Sequence, residues 1–307
     1  MKNVIETNKL TKRFGSLTAV NQVSINVQKG EIYGFLGING AGKTTTIRML
    51  LGMIRPTSGD LFLNGKRVHS GGQPLWNDIG YLVETPYAYP DLTVKENLEI
   101  FRKLRFISDA GAVDAVMEKL QLTPYRERLA KNLSLGNAQR LGLAKALIHN
   151  PNILILDEPA NGLDPAGIVE IRELLLELAG NKGVTILIAS HILSEISKFA
   201  THIGIIDEGM LIQECNTNEL EHFLRKRLYI NTGDNDGAKA ALIKKGYSTA
   251  MIHEGKLEVS DEEAVKSPGK VNLFLINAGF LPTMLKIEEE DLETYFLRVI
   301  GKNGGPK

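Results

Sequence analysis

The chain has 307 residues, which is long for one hydrophobic core and suits a large domain plus a smaller one. Lysine plus arginine and aspartate plus glutamate both total 36, so bulk charge predicts no binding to nucleic acid or anionic lipid. The single cysteine, Cys215, excludes an internal disulfide and is predicted to be a small buried residue. Without a signal-peptide core or an apolar run near the roughly 18 to 20 residues of a membrane span, we expect a soluble, cytoplasmic chain.

The first elements in chain order are predicted to be strands. Residues 4–10 and 20–27 alternate apolar and polar side chains, with a turn at 14–16 between them, which predicts an antiparallel β layer. The apolar run at 32–36 is typical of a buried strand, and a strand at 59–66 ends in an Asn-Gly turn. A further strand is predicted at 79–84.

A phosphate-binding loop is predicted directly after the strand at 32–36. Residues 37–44 read GINGAGKT and fit G-x-x-x-x-G-K-[ST], and a helical pattern at 45–54 follows them. The glycines let backbone N–H groups surround a polyphosphate, Lys43 supplies a positive charge for the outer phosphates, and Thr44 offers a hydroxyl to magnesium. The positive end of the helix faces the same anion.

Helices dominate the next part of the chain. Thr93 and Glu96 form a predicted capping box at the start of one helix, and two further helices are predicted at 114–122 and 138–148. Continuous apolar runs then predict buried parallel strands, and a helix lies between them. The remaining elements of this domain are strands at 153–156, 184–189 and 203–206, a helix at 165–179 and a hairpin return at 210–212.

The C-terminal part has a different pattern, with the order β-α-β-β-α-β. This order predicts a split βαβ, ferredoxin-like plan. Its predicted elements are a strand at 227–231, a helix at 238–245, a hairpin at 249–259 around Glu254-Gly255, a helical segment at 262–277 broken at Pro268, and a strand at 281–288. A last helix is predicted at 291–300, and a disordered tail at 301–307.

Two carboxylates and a histidine are predicted to complete the phosphate site. Asp157 and Glu158 end a buried strand, where ligands collect in open α/β sheets. Asp157 is placed to hold magnesium, and Glu158 is the natural general base for a water that attacks the γ-phosphate. His191 follows a neighbouring strand, so we expect it to contact the γ-phosphate.

These motifs together carry a family resemblance. Residues 133–140, which read LSLGNAQR, resemble the ABC signature motif, and residues 161–164 resemble the D-loop. With the phosphate loop, Asp157-Glu158 and His191 as the switch histidine, the chain resembles ABC transporter ATP-binding subunits over roughly residues 3–219.

The resemblance implies a fold and an assembly. The fold is an α/β P-loop NTPase of ABC type, with an antiparallel β layer and a helical subdomain, plus a small C-terminal α+β domain. The implied domains are residues 1–220, with the helical subdomain at about 86–150, then 221–300 and the tail. ATP and Mg²⁺ are the implied ligands. The implied partners are a membrane permease and a second ATP-binding subunit, identical or paralogous, with no nucleic acid, at the inner face of the cell membrane.

The resemblance also implies roles for individual residues. Phe14 would stack on adenine, and Asp164 would couple two sites across a dimer. Ser134 and Gly136 would cap the γ-phosphate of the opposite subunit. The residues implied to bind the phosphates are Gly37, Asn39, Gly40, Ala41, Gly42, Lys43, Thr44 and Thr45.

The chain departs from the family pattern at three positions. Glu84 replaces the usual glutamine, and its carboxylate could hold magnesium or an ordered water although it would repel the phosphates. Leu135 and Asn137 replace the usual glycine and glutamine of the signature. Glu84, the segment 85–98 and the signature resemble exporters that confer bacitracin and lantibiotic resistance. Segment 85–92 would contact the permease.

Three other functions stay open at this stage. Glu84 and the altered signature are compatible with a non-catalytic, ATP-gated regulatory module. A general exporter ATPase of the ABC-2 type with another substrate is a second alternative. A soluble ABC protein that acts on ribosomes or DNA is a third, although such proteins usually carry two cassettes, long coiled coils or basic extensions.

Overall fold

The structure is a computed structural model that describes residues 3–69, 77–84, 87–252 and 255–301. The chain divides into two compact units, Met1–Asn218 and Glu219–Lys307. Several predicted features lie outside the described residues: Thr85 and Pro86 of the permease segment, Glu254 of the hairpin, and residues 302–307 of the tail. In the part of the chain that the structure covers, no helix has the length and apolarity that crossing a membrane requires.

The first unit contains strands β1 to β11 and helices α1 to α6. In chain order these are β1 (Asn3–Phe14), β2 (Leu17–Val23), β3 (Asn26–Gln28), β4 (Ile32–Leu36), α1 (Lys43–Leu50), β5 (Ser58–Leu63), β6 (Lys66–Arg67), β7 (Ile79–Leu82), α2 (Val94–Leu104), α3 (Ala112–Lys119), α4 (Leu135–Leu147), β8 (Ile153–Asp157), α5 (Pro165–Lys182), β9 (Thr185–Ser190), α6 (Leu193–Ile196), β10 (His202–Asp207) and β11 (Met210–Asn216).

Two sheets form this unit. The antiparallel sheet has the order β2-β1-β5-β6, with β3 paired to β1, as the alternating pattern predicts. The second sheet has the order β11-β10-β4-β9-β8-β7, and its strands are parallel except for β11 at the edge. Every residue of β4, β8 and β9 is buried, which explains their continuous apolar runs.

Strand register decides where the functional site forms. In the parallel sheet Leu36 of β4 pairs with Ser190 of β9, and Asp157 of β8 pairs with Ala189 of β9. The carboxyl ends of these three strands therefore lie side by side. The phosphate loop, the Asp157-Glu158 pair and His191 each follow one of these ends, so the sheet brings them together, as the sequence predicts.

The helical subdomain confirms the predicted capping box and corrects one helix start. Thr93 accepts a hydrogen bond from the Glu96 amide, and the Glu96 side chain accepts one from the Thr93 amide. The helix predicted to begin at 138 begins at Leu135, because Ser134 caps it by accepting from the Asn137 amide at 3.3 Å. This cap outweighs the low helix propensity of Gly136.

The second unit has a split βαβ plan. Its elements are α7 (Leu220–Phe223), β12 (Lys226–Thr232), α8 (Asn235–Lys245), β13 (Thr249–Met251), β14 (Leu257–Val259), α9 (Glu262–Lys266), α10 (Pro268–Asn277), β15 (Pro282–Glu289) and α11 (Leu292–Val299). The sheet order is β13-β14-β12-β15 and all its pairings are antiparallel. Because β14 lies between β12 and β13, the two strands joined by α8 are not neighbours.

Candidate nucleotide-binding site

The phosphate loop needs its glycines for both conformation and space. Gly40 and Gly42 have φ angles of +85° and +108°, which side chains rarely adopt. A Cβ atom on Gly37 would lie 2.5 Å from the carbonyl oxygen of Ile206, and one on Gly42 would lie 2.6 Å from that of Ala19. The loop, which connects β4 to α1, is therefore packed tightly against β10 and β2.

Lys43 is buried at the centre of the loop. Only 6% of it is exposed, and its ammonium group donates to the carbonyl oxygens of Gly37 at 2.5 Å and Ile38 at 3.3 Å. The Nζ atom also lies 3.5 Å from Oε1 of Glu158. Lys43 lines the cavity between the loop and the end of β8. A polyphosphate bound there would give its ammonium group stronger, charged hydrogen-bond acceptors than the two carbonyl oxygens.

Asp157 has one carboxylate oxygen available for a ligand. The Thr44 hydroxyl donates to Oδ2 at 2.7 Å, whereas Oδ1 is buried and has no hydrogen-bond partner among the described residues. Burial raises the pKa of Asp157, and the charges of Glu158 and Glu84 raise it further, against the lowering effects of Thr44 and Lys43. A divalent cation would relieve this crowding of negative charge, so the residues present fit Mg²⁺.

Glu158 and His191 form a hydrogen-bonded pair. Nδ1 of His191 lies 2.9 Å from Oε2 of Glu158, although 33 residues separate them. The Glu158 backbone has a positive φ of 50°, and its amide donates to the Ala189 carbonyl at 2.9 Å. The buried Gln139 donates to the Glu158 carbonyl at 3.2 Å. The Glu158 side chain is thus held beside the His191 ring, and its backbone is held by Gln139.

Glu84 lies in the wall of the same cavity and forms an ion pair with Arg48. Arg48 belongs to the last turn of α1, and Glu84 has a positive φ of 60°. The side chains are 40% and 58% exposed, so solvent screens the pair. The Glu84 carboxylate, which the sequence predicts as a ligand of magnesium or water, is therefore paired with the Arg48 guanidinium in this structure.

Lys43, Asp157, Glu158 and Glu84 line one cavity of about 580 Å³, a volume within the usual range for small-molecule sites. Its lining contains most of the predicted phosphate and metal residues, namely Asn39, Gly40, Gly42, Lys43, Thr44, Thr45, Glu84, Asp157 and Glu158. Ala41 does not line it: the residue is buried and its amide donates to the Ile38 carbonyl at 3.1 Å, so it shapes the loop. Gly37 and His191 are also absent from the cavity lining, although His191 contacts Glu158, which does line it.

Four other predicted residues lie elsewhere. Phe14 is half exposed, does not line the cavity, and has the Lys12 ammonium 4.9 Å from its ring centre. Ser134, Gly136 and Asp164 line a second cavity of about 710 Å³, in which the signature and D-loop segments meet. Within one chain, therefore, Ser134, Gly136 and Asp164 lie together but do not line the cavity of the phosphate loop, whereas Leu135 and Gln139 of the signature run do line it.

The sequence did not point to three residues that support the site. Gln139 is part of the signature run, but its contact with Glu158 depends on how α4 packs against the end of β8. Asn161 lines the phosphate cavity, whereas its sequence position indicates only the start of the D-loop. Arg48 gave no signal, because its partner lies 36 residues away.

Comparisons with known proteins agree with this geometry. A family model described as "ABC transporter" matches residues 20–161. The chain is 42% identical to the bacitracin transport ATP-binding protein BcrA of Bacillus licheniformis, over 98% of each chain. It is 38% identical to the lantibiotic transport ATP-binding protein SrtF of Streptococcus pyogenes, over 69% of this chain and 90% of that one. A solved structure of the ATP-binding subunit of an ABC transporter matches 71% of this chain and 92% of that chain, with 26% identity and a TM-score of 0.65.

Proposed function

The chain belongs to the ATP-binding proteins of ABC transporters, and we propose that it is the ATPase subunit that drives export of a peptide antibiotic through a separate membrane permease. The observation that carries this proposal is the extent of the similarity to the bacitracin transport protein, which runs through both units of the chain. The similarity to the lantibiotic transport protein covers 216 residues, which is about the length of the first unit alone. Bacitracin is therefore the substrate we propose first, with lantibiotics second.

In the proposed reaction each residue has a defined task. Lys43 and the backbone N–H groups of the loop bind the phosphates of ATP. Thr44 and Asp157 would hold Mg²⁺, which would supply positive charge to neutralise the phosphates. Glu158 accepts a proton from the attacking water, and His191 keeps the Glu158 carboxylate oriented through the bond at 2.9 Å. Phe14 contacts the adenine from its half-exposed position.

A second subunit completes the site in this proposal. Ser134 and Gly136 line a different cavity from Lys43 and Thr44, so they are free to cap the γ-phosphate bound by another subunit. Asp164, which caps α5 beside them, couples the two sites. The subunits are identical or paralogous, and the pair docks on the permease at the inner face of the membrane through Tyr87–Leu92 and its neighbours.

Resistance to bacitracin tests the proposed substrate. Cells that express the chain with its permease are expected to grow at higher bacitracin concentrations than cells that express Glu158→Gln with the same permease. The minimum inhibitory concentration is measured for bacitracin and for a lantibiotic in parallel. Protection against the lantibiotic alone would reassign the substrate, and equal sensitivity of both strains to both compounds would refute peptide-antibiotic export.

Glu84 gives a prediction that tests whether its carboxylate takes part in ATP turnover. If its carboxylate positions the attacking water or magnesium, Glu84→Ala should lower ATP turnover by roughly tenfold while ATP binding persists, and Glu84→Gln should retain most of the activity. Steady-state phosphate release and the dissociation constant for ATP measure both effects. Equal turnover in Glu84→Ala and the unaltered chain would reject the role.

Arg48 provides the matched control for Glu84. Arg48→Gln leaves an unpaired carboxylate in the phosphate cavity, so it should weaken ATP binding by repulsion, by about two- to fivefold for a pair this exposed. In Arg48→Gln/Glu84→Gln this repulsion is absent, and ATP affinity should return to that of Glu84→Gln. The double variant therefore reports whether Arg48 acts through Glu84 or independently of it.

A further inference from the structure

Lys145 is a buried cation in the last turn of α4. Only 6% of it is exposed, and its ammonium group donates to the Tyr87 carbonyl at 2.8 Å and to Oδ1 of Asn97 at 3.3 Å. It also lies 4.8 Å from the centre of the Phe101 ring. Among the described residues it forms no ion pair with a carboxylate, and burial lowers the pKa of Lys145 to about 8.

Asn97, on α2, holds the segment from Tyr87 to Leu92 as well. This fully buried side chain accepts from the Tyr89 amide at 2.9 Å and donates to the carbonyls of Tyr89 at 3.1 Å and Leu92 at 3.3 Å. The chain between Tyr87 and Leu92 is thus fixed to α2 by Asn97 and to α4 by Lys145. Its aromatic side chains remain outside, with Tyr87 exposed by 74% and Tyr89 by 41%.

Helix α4 carries the signature at its first end and Lys145 near its last end. Ser134 caps its first turn, and Lys145 is two residues before its last residue. The 13 residues of the helix span about 20 Å. The end that carries the signature therefore moves together with the end that holds the Tyr87 carbonyl, if the helix moves as a rigid body.

Stability alone does not account for a lysine at this position. A buried cation without a carboxylate partner disfavours the folded state, and an apolar side chain of similar length would avoid that cost. Methionine fits this description, because it is unbranched and adapts to irregular spaces. A polar group that costs stability and holds the backbone of an exposed segment is more simply explained by that contact.

We propose that Lys145 is a positioning residue that transmits the movement of the signature helix to the permease-facing segment 87–92. The inference rests on the proposed function, in which Ser134 and Gly136 engage the γ-phosphate of the second subunit. When that contact forms, α4 shifts, and the ammonium group carries the Tyr87 carbonyl with it. Asn97 keeps the rest of the segment in register with α2.

A fluorescent label at position 87 can detect this movement. Cys215 is the chain's single cysteine and is buried, so a thiol-reactive dye on Tyr87→Cys reports from one place. The substitution preserves the link because Lys145 contacts the backbone carbonyl of residue 87 and not its side chain. A Glu158→Gln background retains bound ATP during the measurement.

The expected result is a loss of response without a loss of binding. Addition of ATP and Mg²⁺ changes the dye emission in the labelled chain, and Lys145→Met reduces that change by roughly fivefold. The dissociation constant for ATP, the ATP-dependent dimer and the melting temperature stay at or above the values of the parent. Lys131→Met is the matched control, because Lys131 contacts Asp91 of the same segment from an exposed position at 2.7 Å, and it should retain the full response.

Several results would overturn the inference. A full dye response in Lys145→Met, or an equal loss in Lys131→Met, would show that Lys145 does not transmit the movement of α4. A parent that binds ATP and dimerises without any dye response would also refute it. If Lys145→Met does not fold, Lys145→Gln is measured in its place, and a full response there has the same meaning. Failure of the proposed function is distinguishable, because Glu158→Gln itself would then bind no ATP or form no dimer.

Discussion

Glu158→Gln is expected to lower ATP turnover by about 10²- to 10⁴-fold while ATP binding persists. The substitution keeps the size of the side chain and its contact with His191, but an amide cannot accept the proton of the attacking water. Lys43 lies 3.5 Å from Oε1, so loss of the negative charge leaves more of its field for the phosphates. Phosphate release and equilibrium binding of ATP give the two quantities separately.

Glu195→Gln is the control for this prediction. Glu195 lies on α6 in an exposed ion pair with Lys198, so its loss should leave turnover within about twofold. If Glu158→Gln and Glu195→Gln turn over ATP equally fast, Glu158 is not the general base. Turnover by the unaltered chain with its permease would also exclude the non-catalytic alternative that Glu84 and the altered signature leave open.

Lys43→Met is expected to weaken ATP binding by about 10- to 100-fold, because it removes hydrogen bonds to a charged ligand. The substitution also leaves the Glu158 carboxylate without the cation that lies 3.5 Å away, and this negative charge then faces the phosphates. Titration with ATP gives the dissociation constant, and thermal unfolding checks the fold. Since Lys43 is buried, the apolar side chain fits its place without exposing new surface.

Lys198→Met serves as the control for Lys43→Met. It removes a lysine of equal charge from an exposed ion pair, so a change in overall charge alone would affect both variants. ATP affinity that is unaltered in Lys43→Met, or equally weakened in Lys198→Met, would contradict the role of Lys43. A melting temperature far below that of the parent would assign the loss to folding.

The parts of the site that the sequence predicted depend on local signals and on one rule of topology. The glycines at 37–42 allow the backbone conformations of a tight loop, and continuous apolar runs indicate buried strands. Because parallel strands end at the same edge, residues that follow β4, β8 and β9 had to meet. These rules are sufficient to place Lys43, Asp157, Glu158 and His191 together.

The parts that the sequence missed depend on tertiary packing. Gln139 meets the Glu158 carbonyl across 19 residues, Arg48 meets Glu84 across 36, and Lys145 meets the Tyr87 carbonyl across 58. None of these pairs lies at a helical or strand spacing, and no motif of the chain links them. The predicted start of α4 at residue 138 is also too late, since a helix can include Gly136 when Ser134 caps it.

The central claim is that each chain holds the phosphate-binding half of one site and the capping half of another. Light scattering of Glu158→Gln with ATP and Mg²⁺ tests it most directly. We predict a particle of twice the mass of one chain, and a monomer when Ser134→Arg is added to a folded Glu158→Gln chain. A monomer at saturating ATP in Glu158→Gln, or a dimer that Ser134→Arg does not disturb, would contradict the claim.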